Sequence, residues 1–169
     1  MKILNKSEEQ SLKNAASILK VKKDHLFNLI NFESRFNPMA MNPQSTAKGL
    51  IQFVDKSAQN LGYADSYDLI LKNPTIELQL KNCVVPHLKW FMPFPTEQSL
   101  YMAVFYPVAR NWPLTKVFPK TVTDSNPTIK TPYDYIKKVY LSAGLIYTPS
   151  AIIFVIAGIT AFLILSKKI

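Results

Sequence analysis

From Leu145 to Leu165 the chain runs for 21 residues without a charged side chain, interrupted by Thr148, Pro149, Ser150 and Thr160. A helix needs about 20 apolar residues to cross a ~30 Å hydrocarbon layer, so the run is just long enough to span one. Ile152 to Leu165 is nearly pure Ile, Phe, Val, Ala and Leu, apolar on every face, and Lys167-Lys168 follow it. The expectation is a C-terminal transmembrane helix, with residues 144–169 as an anchor behind a domain spanning 1–143. A buried core helix is the alternative.

The rest of the chain carries the period of helices. Ser7 followed by Glu8, Glu9 and Gln10 opens like a capping box, and Leu12, Ala15, Ala16 and Leu19 recur at helical spacing. Asp24 is placed to cap a second helix, in which Leu26, Leu29, Ile30 and Glu33 fall on one stripe and Pro38 sets the end. Asp55 to Leu61 reads as a short helix stopped by Gly62. Asn73-Pro74 opens a longer one running toward Trp90 with a kink or break at Pro86. Thr96-Glu97 starts another that stops before Pro107. The five prolines between 107 and 132 indicate a long wrapped loop, and Thr131-Pro132 begins a last helix to 143. No alternating strand and no repeat is evident. The fold class expected is all-α, with the C-terminal membrane helix appended.

Composition narrows the chemistry. The net charge is +9, and setting aside Lys167 and Lys168 still leaves 18 basic against 11 acidic residues. That excess favours an anionic partner, of which nucleic acid, anionic lipid and bacterial cell-wall glycan are the options. The basic residues are scattered singly or in pairs, which gives no support to nucleic acid. His25 and His87 stand apart and Cys83 is the one cysteine, so neither a metal site nor an intramolecular disulfide is expected. Cys83 within Cys83-Val84-Val85 reads as a buried small hydrophobe. No cofactor is implied. The N-terminal residues lack the apolar core of a secretory signal.

Glu33 is the residue whose placement suggests catalysis. It ends an apolar stripe, which would desolvate its charged form, and it sits in the last helical turn, where the negative end of the helix dipole disfavours an anion. Both effects would hold a proton on the carboxyl. A glycosidic oxygen leaves only when protonated, so a donor working near neutral pH needs a pKa of ~6–7, about 3 kcal/mol away from a free Glu. The helix alone equally allows a half-exposed Glu33 paired with Arg35 or a lysine.

The residues that follow go further. Glu33-Ser34, Asn37-Pro38, Asn42-Pro43, Ser45, Ala47 and Gly49-Leu50-Ile51-Gln52 are similar, in order and separation, to the Glu-Ser and Gly-Leu-Met-Gln motifs of lytic transglycosylases of the soluble-transglycosylase and goose-lysozyme type. Ser57-Ala58 and Leu61-Gly62 resemble the Thr-Ala and Leu-Gly pairs of that family. Of the four glycines, the two that precede residue 144, Gly49 and Gly62, fall where the pattern wants them. Glycine at 49 would let the backbone approach Glu33 and a sugar closely. The match then weakens: Ala103-Val104-Phe105-Tyr106-Pro107 stands for an Ala-Tyr-Asn-Ala-Gly segment, keeping Tyr106 but replacing the Asn with Pro107. Thr131, Tyr135 and Val139 resemble the tail motif that brings a tyrosine over the catalytic Glu.

The resemblance implies a lysozyme-like helical domain, catalysis by Glu33 alone, and substrate contacts from Ser34, Ser45, Gln52, Phe53, Tyr106 and Tyr135. Gln52 could bond the sugar or Glu33, and Phe53 could be core or stacking platform. The implied substrate is bacterial peptidoglycan, cut between N-acetylmuramic acid and N-acetylglucosamine with a 1,6-anhydro product. A hydrolytic muramidase recruiting Asp55 or another carboxylate, and a non-catalytic glycan- or capsid-binding membrane protein, are the alternatives. A terminal anchor without a signal suggests a single-pass membrane protein. The internal membrane of a bacteriophage particle fits best, with contacts to capsid or other virion membrane proteins, and the bacterial inner membrane is the other placement. There the enzyme would open the wall locally for genome delivery.

Overall fold

The computed structural model describes residues 2–148, 151–156 and 159–161, with side chains described through 147. The chain divides into two compact units, Met1–Arg110 and Asn111–Ile169.

In the first unit, α1 (Lys6–Leu19) is capped by Asn5 rather than Ser7. Asn5 Oδ1 accepts the amides of Ser7 and Glu8, each at 2.9 Å, and the Glu8 carboxylate accepts the Asn5 amide at 2.8 Å. The reciprocal bonds satisfy orphan donors of the first turn. α2 (Lys23–Ser34) starts ahead of Asp24, which sits in its first turn, and Lys22 is the N-cap without a side-chain bond. Leu12, Ala15, Ala16 and Leu19 of α1 and Leu26, Leu29 and Ile30 of α2 are all buried, as their spacing predicts.

Short helices follow: α3 (Asp55–Asn60), α4 (Ser66–Lys72) and α5 (Ile76–Gln79). α4 was not among the expected helices. Its signal lies in Asp65, whose Oδ1 accepts the Asp68 amide at 2.8 Å as an N-cap. α5 is capped by Thr75, one residue past Asn73-Pro74. It runs without a break into a π-helical turn, Leu80–Val84, and then α6 (Val85–Lys89), with Pro86 at the start of α6. The widened turn shifts the hydrogen-bond ladder just ahead of the proline, so Pro86 is absorbed rather than ending the helix. α7 (Glu97–Phe105) stops before Pro107, which opens a 3-10 turn to Ala109. α1 packs on α2, α5, the π turn and α6, while α2 and α6 both meet α7.

In the second unit, α8 (Lys120–Ser125) interrupts the stretch expected to be loop. α9 (Pro132–Ser142) begins with the Thr131 capping box and proline at its first turn. It packs on β1 (Leu145–Thr148), where Tyr147 meets Tyr140 and Tyr133 with ring centroids 5.0 and 5.8 Å apart.

The C-terminal helix is corrected by the structure. β1, β2 (Ala151–Ile156) and β3 (Ile159–Ala161) form an antiparallel sheet in that order, with Leu145 opposite Phe154 and Phe154 opposite Ala161. No helix among the described residues is long and apolar enough to cross a membrane. Pro149 and Gly158 divide the run into short pieces, and those pieces are dominated by β-branched and aromatic residues, which favour strands. The all-α class therefore holds only for the helical part of the chain. The membrane contact and virion placement drawn from the helix lose that support. Residues 149, 150, 157, 158 and 162–165 of the expected span lie outside the described residues.

Candidate active site

Glu33 is the penultimate residue of α2 and is half-buried. The backbone then turns abruptly, because Arg35 and Phe36 both adopt left-handed conformations, at φ 53° and 57°. For side chains that large this is strained, and something must hold it. Phe36 does so in part by burying its ring against Phe27, with centroids 4.8 Å apart. Ser34 does the rest: its hydroxyl, buried, donates to the Leu50 carbonyl at 2.9 Å and to that of Ile30 at 3.2 Å. One hydroxyl thus fastens the end of α2 to the Gly49–Gln52 turn.

That turn is the inner part of a folded loop. Lys48 bridges Met41 on one side and Phe53 on the other, with Phe53 N–H donating to Lys48 at 2.7 Å. Gln52 is the third strained residue, at φ 56°, and its side-chain amide donates to Gly49 O at 3.0 Å. The outer loop is tied down through Ser66, which is fully buried and donates to Thr46 O and, at 2.7 Å, to Asp55 Oδ1. The Ser66 amide donates to the same carboxylate at 3.1 Å. The Ser66 hydroxyl, ahead of its amide and the nearby Lys48, holds the Asp55 carboxyl below its usual pKa. Asp55 is therefore an ionised tie between α3 and α4, engaged in structure.

The glycine at 49 has a different cause from the one expected. Gly49 sits at φ +77°, and a Cβ there would lie 2.7 Å from Gln79 Oε1 and 3.1 Å from Ile70 Cγ2. The close approach is to a buried side chain. Gln79, fully buried, accepts the Leu50 amide at 2.9 Å and donates to Pro38 O at 2.6 Å and Asn73 O at 3.0 Å. No local pattern marks Gln79 as part of the site. Its partners lie up to 41 residues away in sequence.

The other expected contacts separate. Ser45 is exposed on the outer loop, where its Oγ accepts the Ala47 amide at 3.2 Å. Phe53 is buried edge-on against His87, 5.5 Å between centroids, in the position of a core residue. Tyr106 is half-buried at the C-cap of α7, where Pro107 stops the helix. Tyr135 is buried on α9 in the second unit. Burial pushes the Cys83 thiol up to about 11, so it carries no thiolate near neutral pH. A cavity of about 370 Å³ lies elsewhere, between α1 and the α5–α6 run, lined by Ile18, Leu78 and Lys81 among others.

Residues 10–80, from α1 to the end of α5, match the family model of the transglycosylase SLT domain. The chain carries a transglycosylase SLT domain. The matched stretch holds Glu33, the strained turn after it, the Gly49–Gln52 segment and Gln79. The SLT domain marks the protein as a peptidoglycan lytic transglycosylase, a lyase of glycosidic bonds. No curated protein matches the chain. Tyr106 and Tyr135 lie beyond the matched residues.

Proposed function

We propose that Glu33 is the catalytic acid and base of this SLT domain, acting on the β-1,4 bond between N-acetylmuramic acid and N-acetylglucosamine. The observation that carries the reading is the half-buried carboxyl at the C-terminal end of α2, fastened by Ser34 to the Gly49–Gln52 turn. Protonated Glu33 gives its proton to the bridging oxygen, and the bond from that oxygen to C1 of the muramoyl residue breaks. The carboxylate left behind then takes the proton of the muramoyl 6-hydroxyl as O6 bonds to C1. The acid is regenerated, no water is consumed, and a 1,6-anhydro end is formed. One carboxylate serves both steps, in contrast to the pair that hydrolytic glycosidases place about 5–9.5 Å apart. Gln52, half-exposed beside Gly49, is the side chain on the turn suited to a sugar hydroxyl. Tyr106 is assigned a substrate contact on the motif resemblance alone.

Mass spectrometry of muropeptides released from purified cell walls tests the reading. Products lighter by one water than their reducing-end counterparts are expected from the wild type. Glu33→Gln should lose them by about 10²- to 10⁴-fold, the usual contribution of general acid–base catalysis. Reducing ends instead would favour hydrolysis by a second carboxylate. Equal release by wild type and Glu33→Gln would remove Glu33 as the acid, and release by neither would leave a glycan-binding module.

A further inference from the structure

Resting on the Glu33 reading, we propose that Gln79 is a positioning residue for catalysis, setting the Gly49–Gln52 turn at a fixed distance from the end of α2. Its carboxamide uses its full geometry. The oxygen accepts Leu50 N–H on the turn, and the nitrogen donates to Pro38 O on the segment leaving α2 and to Asn73 O between α4 and α5. Pro38 follows Glu33 by five residues, and Leu50 is the residue whose carbonyl Ser34 already holds. Gln79 therefore grips both sides of the site from behind, and being fully buried it does not itself meet substrate.

Only an amide of this length offers one acceptor and two donors at that point. A carboxylate there would set an oxygen against two carbonyl oxygens, and a methionine would leave the Leu50 amide and the Pro38 and Asn73 carbonyls without this partner. Gly49 completes the device, because a Cβ at 49 would lie 2.7 Å from the Gln79 oxygen. The φ of +77° already favours glycine at position 49, and the Gln79 oxygen adds a second reason for it. A misplacement of about 1 Å in an active site can cost 10²-fold in rate, which is the size of effect at stake.

The test compares wild type, Gln79→Glu, Gly49→Ala and the double variant Gly49→Ala with Gln79→Ala, on soluble uncrosslinked glycan strands. Rates are expressed per folded molecule, with the folded fraction taken from circular dichroism. Gln79→Glu and Gly49→Ala should each lose tenfold or more in kcat with KM shifted by less than threefold. The double variant should lose less than the product of the two single losses, since removing the glutamine clears the space that Cβ needs. Folded Gln79→Glu or Gly49→Ala with wild-type kcat would overturn the proposal while leaving Glu33 in place. Should Gln79→Glu fail to fold, Gln79→Ala decides the matter with the turn glycine unaltered: a tenfold or larger loss in kcat per folded molecule supports the positioning role, and wild-type kcat overturns it. A wild type that yields no anhydro product would instead remove the Glu33 reading, and the role of Gln79 with it.

Discussion

Ser34, next to the proposed acid Glu33, is engaged within the fold. Its hydroxyl is turned inward, onto Leu50 O, and the side chain is buried. Three bulky residues nearby, Arg35, Phe36 and Gln52, occupy left-handed backbone regions that cost roughly 1–2 kcal/mol each. The packing of Phe36 and the grip of Ser34 must offset that strain. Ser34→Ala leaves a buried carbonyl without its donor, which should destabilise the protein by about 1–3 kcal/mol. Thermal melting reads that loss, and kcat should fall with it as the turn drifts from Glu33. If Ser34 instead bonded sugar directly, the variant would raise KM and leave the melting temperature unchanged. Phe53 makes the complementary point: sequence allowed a stacking platform, and burial against His87 makes it core.

At the scale of elements, the apolar period of α1 and α2 is more legible than their caps, which fall on Asn5 and Lys22 rather than on Ser7 and Asp24. The apolar stripes of α1 and α2 are set by residues three and four apart, and both stripes are buried where their period puts them. Gly49 and Gly62 were legible as backbone punctuation, and both have positive φ. Two features escaped for opposite reasons. Gln79 draws its partners from residues 38, 50 and 73, so no window of sequence contains its role. The 145–161 run has the hydropathy of a membrane helix, but its many β-branched residues favour the strands it forms, and hydropathy does not distinguish the two. The loop from 40 to 55 lies between these cases, its glycine visible and its ties invisible. Ser66→Ala tests those ties. It removes the buried donor to Thr46 O and Asp55 Oδ1, so a loss of about 1–3 kcal/mol in denaturant unfolding is expected. Hydrogen exchange should quicken at the Asp55 and Phe53 amides while those of α1 stay protected. Unchanged exchange at both amides would show that Ser66 does not hold the loop.

At the scale of the whole molecule, acid is the condition that most directly probes the core behind the site. His87 is packed among Phe53, Trp90 and Phe91, with ring centroids 5.4 to 5.8 Å away, and its Nδ1 is buried without a hydrogen-bond partner among the described residues. No carboxylate among the described residues compensates, so burial pushes its pKa down to about 4 from the usual 6.5. The folded protein therefore resists protonating His87 while the unfolded chain accepts a proton at ordinary pH. Above pH 6.5 both states are neutral and the effect vanishes. As pH falls from about 6.5 to about 4 the unfolded state binds the extra proton, and stability is lost throughout that window. The shift corresponds to on the order of 2–3 kcal/mol, allowing for the partial exposure of the ring. His25, beside Glu97 at 3.3 Å, is also lowered by burial and adds to the same trend, though the Glu97 charge opposes it. His87→Phe keeps an aromatic ring among the other rings and removes the titration. Its melting temperature between pH 7 and pH 4.5 should fall less than that of the wild type by roughly 5–10 °C, at about 2–4 °C per kcal/mol for a chain of this size. Parallel falls in the two proteins would show that His87 does not carry the acid lability over that window. Asp55 cannot carry it either, because its depressed pKa contributes stability that is lost only as pH drops below the ordinary carboxylate range.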